Sequence, residues 1–274
     1  MFNYIKYIVS VPKKLLLTWT FAPAVYFSII PLAFANETVQ DVLINQQRDA
    51  FRGMSENETM MNFLGISDWD NVFTLEGVIT TYIFNLFVPI LIAIATIVFL
   101  NKMTAGAEED GTFEFVASLP MSRTTIYLTH AIVATLYGIV LSQIWVHIIY
   151  APMVFMELTQ TLDYLPIVQA GFQAGLGGVS YGVLGFAMAA FFGKSSRAWS
   201  FGMGLLAIEW ISNMFSTRID AFEWINENIS SFGAYGNPYK DGLDTGDVTL
   251  VLGKILIFLI IGFVGFRNRS LNLR

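Results

Sequence analysis

The chain has 274 residues, of which 55% are hydrophobic and 13% are charged, with a formal net charge of −6 and a mean hydropathy of +0.58. An ordinary soluble domain is about 25% charged, so the composition excludes that class and predicts a single all-α, polytopic membrane domain over residues 1–274, in contact with the lipid bilayer. The absence of cysteine excludes disulfides and thiolate metal sites. The two histidines also argue against a histidine metal centre. We expect no metal site and no nucleic-acid partner.

The first 14 residues form an amphipathic pattern that Pro12 ends. One helical face carries Phe2, Ile5, Ile8 and Val9, and the other carries Asn3, Lys6 and Ser10. This pattern predicts an N-terminal interfacial helix in the headgroup plane. The alternative is a frayed, basic terminus.

Six apolar segments are long enough for membrane spans, which need about 20 residues: 15–35, 78–100, 126–150, 170–193, 198–216 and 248–266. Ten of the fifteen Lys and Arg residues fall on one side of this arrangement and four on the other, while Lys254 lies inside the last span. Basic residues are enriched on cytoplasmic loops. We therefore expect a multi-pass protein of the cell (plasma or inner) membrane, with both termini cytoplasmic.

The first span has a second interpretation. Lys13-Lys14, an apolar run and Ala33-Phe34-Ala35 before Asn36 resemble a signal peptide with a cleavage site. Cleavage would leave five spans and an external N-terminus. The apolar run is longer than the usual core of about 7–15 residues, which favours a span.

The two long outer loops are predicted at 36–77 and 217–247. We expect the first to form a small helical cap over the outer mouth. The second alternates apolar and acidic residues, which predicts a short helix at the outer interface with Trp224 as an anchor.

The cytoplasmic segment 101–124 carries three consecutive acids, Glu108 to Asp110, before a short helix that Gly111 opens and Pro120 closes. Acids complement the positive end of a helix dipole. A helix this short needs a surface to pack on, and its acidity disfavours an anionic leaflet. A groove on a protein partner is thus favoured, with an ordinary solvated loop as the alternative.

The run Glu108-Glu109-Asp110-Gly111-Thr112-Phe113-Glu114, followed by Ser118-Leu119-Pro120-Met121-Ser122-Arg123, resembles the motif between the second and third spans of type-2 ATP-binding cassette (ABC) transporter permeases. The six-span layout, the basic N-terminal segment and the Arg-rich tail 266–269 are also similar. Phe113 and Phe115 depart from the usual aliphatic residues, and Asn268 and Ser270 interrupt the tail.

This resemblance implies a coupling helix at 108–119 that docks on a separate cytoplasmic ATPase. Glu108, Glu109 and Glu114 would face its basic groups, Phe113 and Val116 would supply apolar contact, and Arg123 would anchor the junction. The docking set is completed by Gly111, Thr112, Leu119 and Pro120. A second permease chain, identical or different, would complete the transporter.

No catalytic residue or cofactor is expected in this chain, because ATP and Mg would bind the partner ATPase. The phosphate-binding loop requires Gly-x-x-x-x-Gly-Lys-Ser/Thr. Gly193-Lys194-Ser195 supplies its end, but Met188 replaces the first glycine.

Polar residues within the spans are candidates for a translocation path: Glu209, Gln143, His147 and Asn85. A carboxylate in a span costs about 2.5–3.5 kcal/mol on insertion scales, so Glu209 should face cargo or a partner helix. For the other three, helix packing is the alternative interpretation. We expect His130 to be hydrated near the cytoplasm. The small-residue stripe from Gly171 to Gly182 predicts close helix packing within the protomer, with a dimer seam as the alternative.

Taken together, the sequence predicts an ABC exporter permease that moves an amphipathic or hydrophobic cargo, such as a peptide, antibiotic or lipid, by alternating access. The alternatives are a secondary transporter driven by an ion gradient and a non-transporting membrane scaffold or sensor. Cargo identity, the direction of transport and the choice between homo- and heterodimer stay open.

Overall fold

The computed structural model describes residues 2–10, 12–41, 48, 61, 71–158, 162–236 and 238–271, with the side chains of residues 2, 3, 39 and 40 left out. Thirteen α-helices are assigned within these ranges, and they contain no strand, so the all-α prediction is confirmed there. In chain order the helices are α1 Phe2–Ser10, α2 Lys13–Phe34, α3 Glu37–Gln40, α4 Leu75–Gly77, α5 Val88–Met103, α6 Ala105–Glu109, α7 Phe113–Ala117, α8 Arg123–Phe155, α9 Tyr164–Phe192, α10 Ser195–Phe215, α11 Asp220–Asn228, α12 Pro238–Asp241 and α13 Thr245–Asn268. Most of the predicted cap at 36–77 lies outside the described residues.

Among the described residues, five helical segments are long and apolar enough to cross a membrane: α2, the continuous stretch Leu75–Glu109, α8, α9 and α13. They correspond to five of the six predicted spans. The remaining prediction coincides with α10, whose 21 residues could cover a hydrocarbon core of about 30 Å. Its mean hydropathy is lower because Glu209 and Asn213 interrupt the apolar residues.

The segment between α4 and α5 is a π-helix, Val78–Phe87. Pro89 follows at the start of α5 and has no N–H to donate to the carbonyl of Asn85, four residues earlier. The N–H of Val88 instead bonds the carbonyl of Ile83, five residues back. The π-helical hydrogen-bond pattern, which spans five residues instead of four, thus occurs directly before the proline.

Helix α9 is the centre of the bundle, packed against α5, α8, α10 and α13. Its small residues permit this packing. A Cβ on Gly178 would lie 2.7 Å from the carbonyl oxygen of Pro89, and one on Gly182 would lie 2.5 Å from Thr96 Cβ. The prediction that the glycine stripe packs inside the protomer is confirmed.

Helix α2 is part of this bundle. Phe27 is fully buried and its ring meets that of Trp145 edge-on at 5.6 Å, while Trp145 Nε1 donates to the carbonyl of Thr20 at 3.1 Å. These contacts pack α2 against α8.

Helix α1 forms as predicted, and it packs on the protein along one side. Tyr4 and Ile8 are buried against α8, whereas Val9 is 42% exposed. Val9 therefore lies on the part of the apolar face that does not pack on the protein, whereas the Tyr4 ring meets that of His130 edge-on at 5.7 Å.

We use the term terminal face for the end of the bundle that carries α1, residues 105–123, residues 193–197 and the end of α13. The hydrogen bond from Asn101 Nδ2 to the carbonyl of Ser195, at 3.1 Å, joins two of these parts. Residues 216–244 connect α10 to α13 at the opposite end. Within them, α11 matches the predicted short helix, and Trp224 on it is 58% exposed.

Candidate functional site

The predicted coupling segment lies on the terminal face, but it is not one helix. Residues 108–119, expected as a single helix, form the end of α6 and all of α7, with a turn at 110–112 between them. Gly111 has a φ of +76° and open space around its Cβ position. This left-handed conformation, which glycine adopts without strain, reverses the chain between the two helices.

Helix α7 is attached to the bundle by the two apolar residues that we expected to contact a partner. Phe113 and Val116 are 1% and 3% exposed, and the Phe113 ring meets that of Phe266 edge-on at 6.4 Å. They are therefore unavailable to another protein in this conformation. Leu119 is partly buried in the same cluster.

The exposed side of α7 carries different residues. Glu114 is exposed, and Phe115 is 56% exposed while its ring lies 5.5 Å from that of Tyr7. The surrounding Asp110, Thr112, Ser118 and Pro120 are exposed too. The surface that α7 presents thus combines carboxylates with one aromatic ring.

Glu108 is turned into the protein instead of toward the outside. Its carboxylate is 1% exposed and pairs with the guanidinium of Arg269 through two oxygens, one bond being 2.8 Å long. Arg269 also donates from Nε to the carbonyl of Ala190 at 2.7 Å. Because Gly193 lies under this guanidinium, a Cβ there would approach Arg269 Nη1 to 2.7 Å.

Glu109 accepts hydrogen bonds from the first residue of α10. The Ser195 N–H donates to Oε1 at 2.9 Å and its hydroxyl donates to Oε2 at 2.5 Å. A carboxylate at this position complements the positive end of the α10 dipole. Glu108 and Glu109 therefore connect α6 to α13 and to α10, respectively, rather than facing basic groups of a partner.

Arg123, which the resemblance placed at the junction with an ATPase, binds backbone carbonyls at the end of α13 in this structure. Its Nη1 donates to the carbonyl of Arg269 at 2.6 Å and approaches that of Arg267 at 3.4 Å. A cation near the last carbonyls of a helix complements the dipole. Ser122, just before it, caps α8 by accepting from the N–H of Thr125.

His130 is buried near the same face, which corrects the expectation that it is hydrated. It is 1% exposed, its Nδ1 lies 2.9 Å from the carbonyl of Ile126, and its Nε2 lies 3.4 Å from the hydroxyl of Tyr4. Burial, and to a lesser degree the neighbouring Tyr7, raises the pKa of Tyr4 well above its usual range. Helix α1 covers this histidine and so excludes water from it.

A groove of about 660 Å³ opens beside α6. Its lining combines exposed amines, carboxylates and apolar side chains, and includes Lys13, Lys14, Lys102, Glu109, Val98 and Trp199. It lies where the first turns of α2 and α10 meet the end of α5.

The polar residues within the spans do not come together at one place. Gln143 and His147 bond the beginning of α9: Gln143 Nε2 lies 3.4 Å from the carbonyl of Val168, and His147 Nε2 lies 2.8 Å from the hydroxyl of Tyr164. Asn85 lies in the π-helix, and its side-chain oxygen is buried without a hydrogen bond. Neither set contacts the groups that bind Glu209.

Glu209 is completely buried and fully partnered. Lys254 Nζ donates to its Oε1 at 2.6 Å, and the Tyr181 hydroxyl and the Ser231 N–H both donate to its Oε2 at 2.7 Å. Lys254 completes a buried ion pair that we did not expect. The sequence contained a signal, since these two residues are the only Asp, Glu, Lys or Arg within the six predicted spans and have opposite charges.

Comparison with known families agrees with this architecture. Residues 13–267 match the model of a family described as the C-terminal domain of the multidrug efflux system permease Rv1217c. The chain belongs to this family. No curated protein matches the chain. The family match spans the helices from α2 to nearly the end of α13, and it makes the protein a multi-pass membrane permease of the efflux type rather than an enzyme.

Proposed function

We propose that this efflux permease is the membrane subunit of an ABC exporter, driven by a separate ATPase that docks on the exposed side of α7. The terminal face, including both ends of the chain, is then cytoplasmic, and α10 is the sixth span. The observation that carries the proposal is that α7 is fixed to the bundle on one side and exposes Glu114 and Phe115 on the other.

The internal contacts of this segment suit a transmitting role. A docked ATPase that displaces α7 would also move α6, because the two short helices are adjacent. Glu108 and Glu109 connect α6 to the last helix and to α10. Movement at the docking surface would thus reach two long helices through directed, charge-assisted bonds.

Two copies of the ATPase would supply ATP and Mg binding, and a second permease chain would complete the assembly. The large exposed apolar residues of α2 and α13 provide surface for either lipid or that second chain; examples are Phe21 at 56%, Val25 at 62% and Leu256 at 59% exposed. Both a homodimer and a heterodimer with a related chain are compatible with this proposal.

The proposed cargo is an amphipathic or hydrophobic molecule such as a peptide, antibiotic or lipid. The groove beside α6 places exposed lysine amines next to Val98 and Trp199, a combination that suits a molecule with both polar and apolar parts. The multidrug description of the family supports the same class of cargo.

The docking surface is tested by Glu114→Lys together with Phe115→Ala, in cells that also express ABC ATPases of the same genome. We expect the ATPase recovered with the purified permease to fall at least tenfold, because both changes remove exposed contacts while Phe113 and Val116 still hold α7. The matched control is Glu223→Lys, an equally exposed reversal on α11 at the other end of the molecule. Unchanged recovery with the double variant would overturn the docking assignment.

ATP-driven flux in proteoliposomes separates this function from its alternatives. A secondary transporter would move cargo without an ATPase, and a scaffold would bind the ATPase without moving cargo. The ion pair argues against the first alternative, since Glu209 already has a cation and two donors and so offers no free carboxylate to an ion.

A further inference from the structure

The loop between α10 and α13 enters the bundle after α11. Residues 230–235, which we call the plug, contain one turn of 3₁₀-helix, Gly233–Tyr235. Every one of them that has a side chain is nearly inaccessible to solvent, from 0% for Ser230 to 6% for Phe232. This is unusual for a connecting loop, because buried irregular backbone must find hydrogen-bond partners elsewhere.

The depth of the plug in the bundle can be estimated from the positions of the residues that bind it. Tyr181, Glu209 and Lys254 lie 11, 14 and 14 residues from the terminal-face ends of their helices, at Phe192, Ser195 and Asn268. At 1.5 Å per residue, these positions are about 16–21 Å into the bundle. The hydrocarbon core of a bilayer is about 30 Å thick, so the plug extends toward the middle of the membrane.

At this depth, polar groups of the membrane helices form hydrogen bonds with the polar groups of the plug. The N–H of Ser231 donates to Glu209 at 2.7 Å, and the carbonyl of Ala234 accepts from Gln173 Nε2 at 2.8 Å. The hydroxyl of Tyr235 donates to the carbonyl of Thr80 at 3.2 Å. Non-helical backbone at membrane depth is tolerated where protein groups satisfy it in this way.

Both members of the ion pair, Glu209 and Lys254, bind the plug at Ser231. Lys254 Nζ contacts Glu209 at 2.6 Å and the Ser231 hydroxyl at 2.8 Å. The Ser231 hydroxyl also lies 3.0 Å from that of Ser180. Ser231 thus bridges the carboxylate of α10, the ammonium of α13 and a hydroxyl of α9.

We propose that residues 230–235 close the permease from the side opposite the docking surface, and that Glu209 and Lys254 are positioning residues that hold them there. The sequence left two roles open for Glu209, a contact with cargo and a bond to a neighbouring helix. This proposal adopts the second, in which Glu209 is half of a charge pair that must part from Ser231 before the plug can leave. The part of this inference that concerns transport rests on the proposed function. A displacement of α10 relative to α13 would separate the two charges and release the plug.

The natural absence of cysteine allows a direct test. Ala234→Cys places a thiol in the plug, Ala170→Cys places one at a fully buried position of α9, and Glu227→Cys places one on the exposed surface of α11. Each is labelled in intact cells with a membrane-impermeant maleimide. In the otherwise unchanged chain we expect rapid labelling at 227 and slow labelling at 234 and 170.

Glu209→Gln and Lys254→Met, each combined with these cysteines, should accelerate labelling at 234 at least tenfold while labelling at 170 stays slow. Lys254→Arg keeps the cation and should restore slow labelling at 234. The proposal is overturned if labelling at 234 is already fast in the unchanged chain, or if neither variant alters it. It is also overturned if 234 and 170 accelerate equally, because the pair would then stabilise the whole bundle rather than the plug.

The labelling requires neither an ATPase nor a cargo. Its failure would leave the docking proposal intact, and the loss of ATPase recovery in the docking experiment would say nothing about the plug. The two proposals therefore fail separately.

Discussion

Arg269 joins three parts of the chain through one guanidinium group. It pairs with Glu108 of α6, donates to the carbonyl of Ala190 at the end of α9, and lies over the ring of Phe266 at 5.5 Å. A planar guanidinium can form a bidentate pair and stack at the same time, which a lysine ammonium cannot. This one side chain holds the coupling segment against the end of the bundle.

Arg269→Ala should destabilise the protein strongly, because it leaves the carboxylate of Glu108 buried without its cation. Breaking a buried pair in this way costs about 3–5 kcal/mol. The measurement is thermal unfolding in detergent, followed by tryptophan fluorescence. Arg269→Lys keeps the positive charge, so its unfolding temperature should lie between those of the unchanged protein and of Arg269→Ala.

The control for this prediction is Arg267→Ala, two residues earlier on the exposed side of α13. Surface substitutions of this kind change stability by about 0.5 kcal/mol or less. Equal losses for the two variants would contradict the role assigned to Arg269.

At the scale of elements, the packing of α9 depends on the absence of side chains along it. Gly171 meets Val146, Gly175 meets Ser142, and Gly182 meets Thr96, so one stripe serves both α8 and α5. Close approach of this kind replaces the hydrophobic effect as a source of helix association in a membrane. The apolar surface alone would not select these neighbours.

Gly178→Ala should therefore be destabilising, since the new Cβ would lie 2.7 Å from both the Pro89 carbonyl and Ile92 Cβ. Overpacking costs about 1–3 kcal/mol. The backbone oxygen cannot move without displacing α5. The same unfolding assay measures the loss.

Gly253→Ala on α13 is the matched control, because nothing lies within 4 Å of its Cβ position. In a helix interior, alanine is more stable than glycine by roughly 0.5–1 kcal/mol. We expect this variant to be unchanged or slightly stabilised. A loss as large as that of Gly178→Ala would show that steric contact is not the cause.

At the scale of the whole molecule, the two ends of the bundle differ in chemistry. The terminal face carries α1, the coupling segment and the groove lysines, whereas the opposite end carries α11 with Asp220, Glu223 and Glu227. The excess of basic residues on the terminal face supports the proposed orientation, in which this face is cytoplasmic.

This orientation can be measured with single cysteines in the cysteine-free chain. Ser196→Cys lies exposed on the terminal face and Glu227→Cys at the opposite end. An impermeant maleimide should label position 227 in intact cells and position 196 only after permeabilisation. The reverse pattern would invert the topology and remove the coupling segment from the reach of any ATPase.

Much of the fold could be predicted from sequence because apolar length is a local property. The spans and the short helix near Trp224 follow from residues that are adjacent in the chain. The single helix over 108–119, which the resemblance implied, is wrong because Gly111 reverses the chain between α6 and α7.

The directions of the side chains could not be predicted in the same way. An acid-rich motif indicates a polar surface, yet Glu108 is buried because Arg269, 161 residues away, supplies its cation. Phe113 and Val116 likewise face inward because Phe266 and its neighbours offer an apolar surface within the bundle.

The sequence by itself determined that this protein is a bundle of membrane helices with a conspicuous acidic segment, since hydropathy and charge are carried by each residue wherever it lies. The tertiary structure alone decided which charges meet. Glu209 and Lys254 are 45 residues apart, and their pairing around Ser231 exists because a loop folds back between the helices that carry them. In a medium that does not solvate charge, that arrangement satisfies all three groups at once.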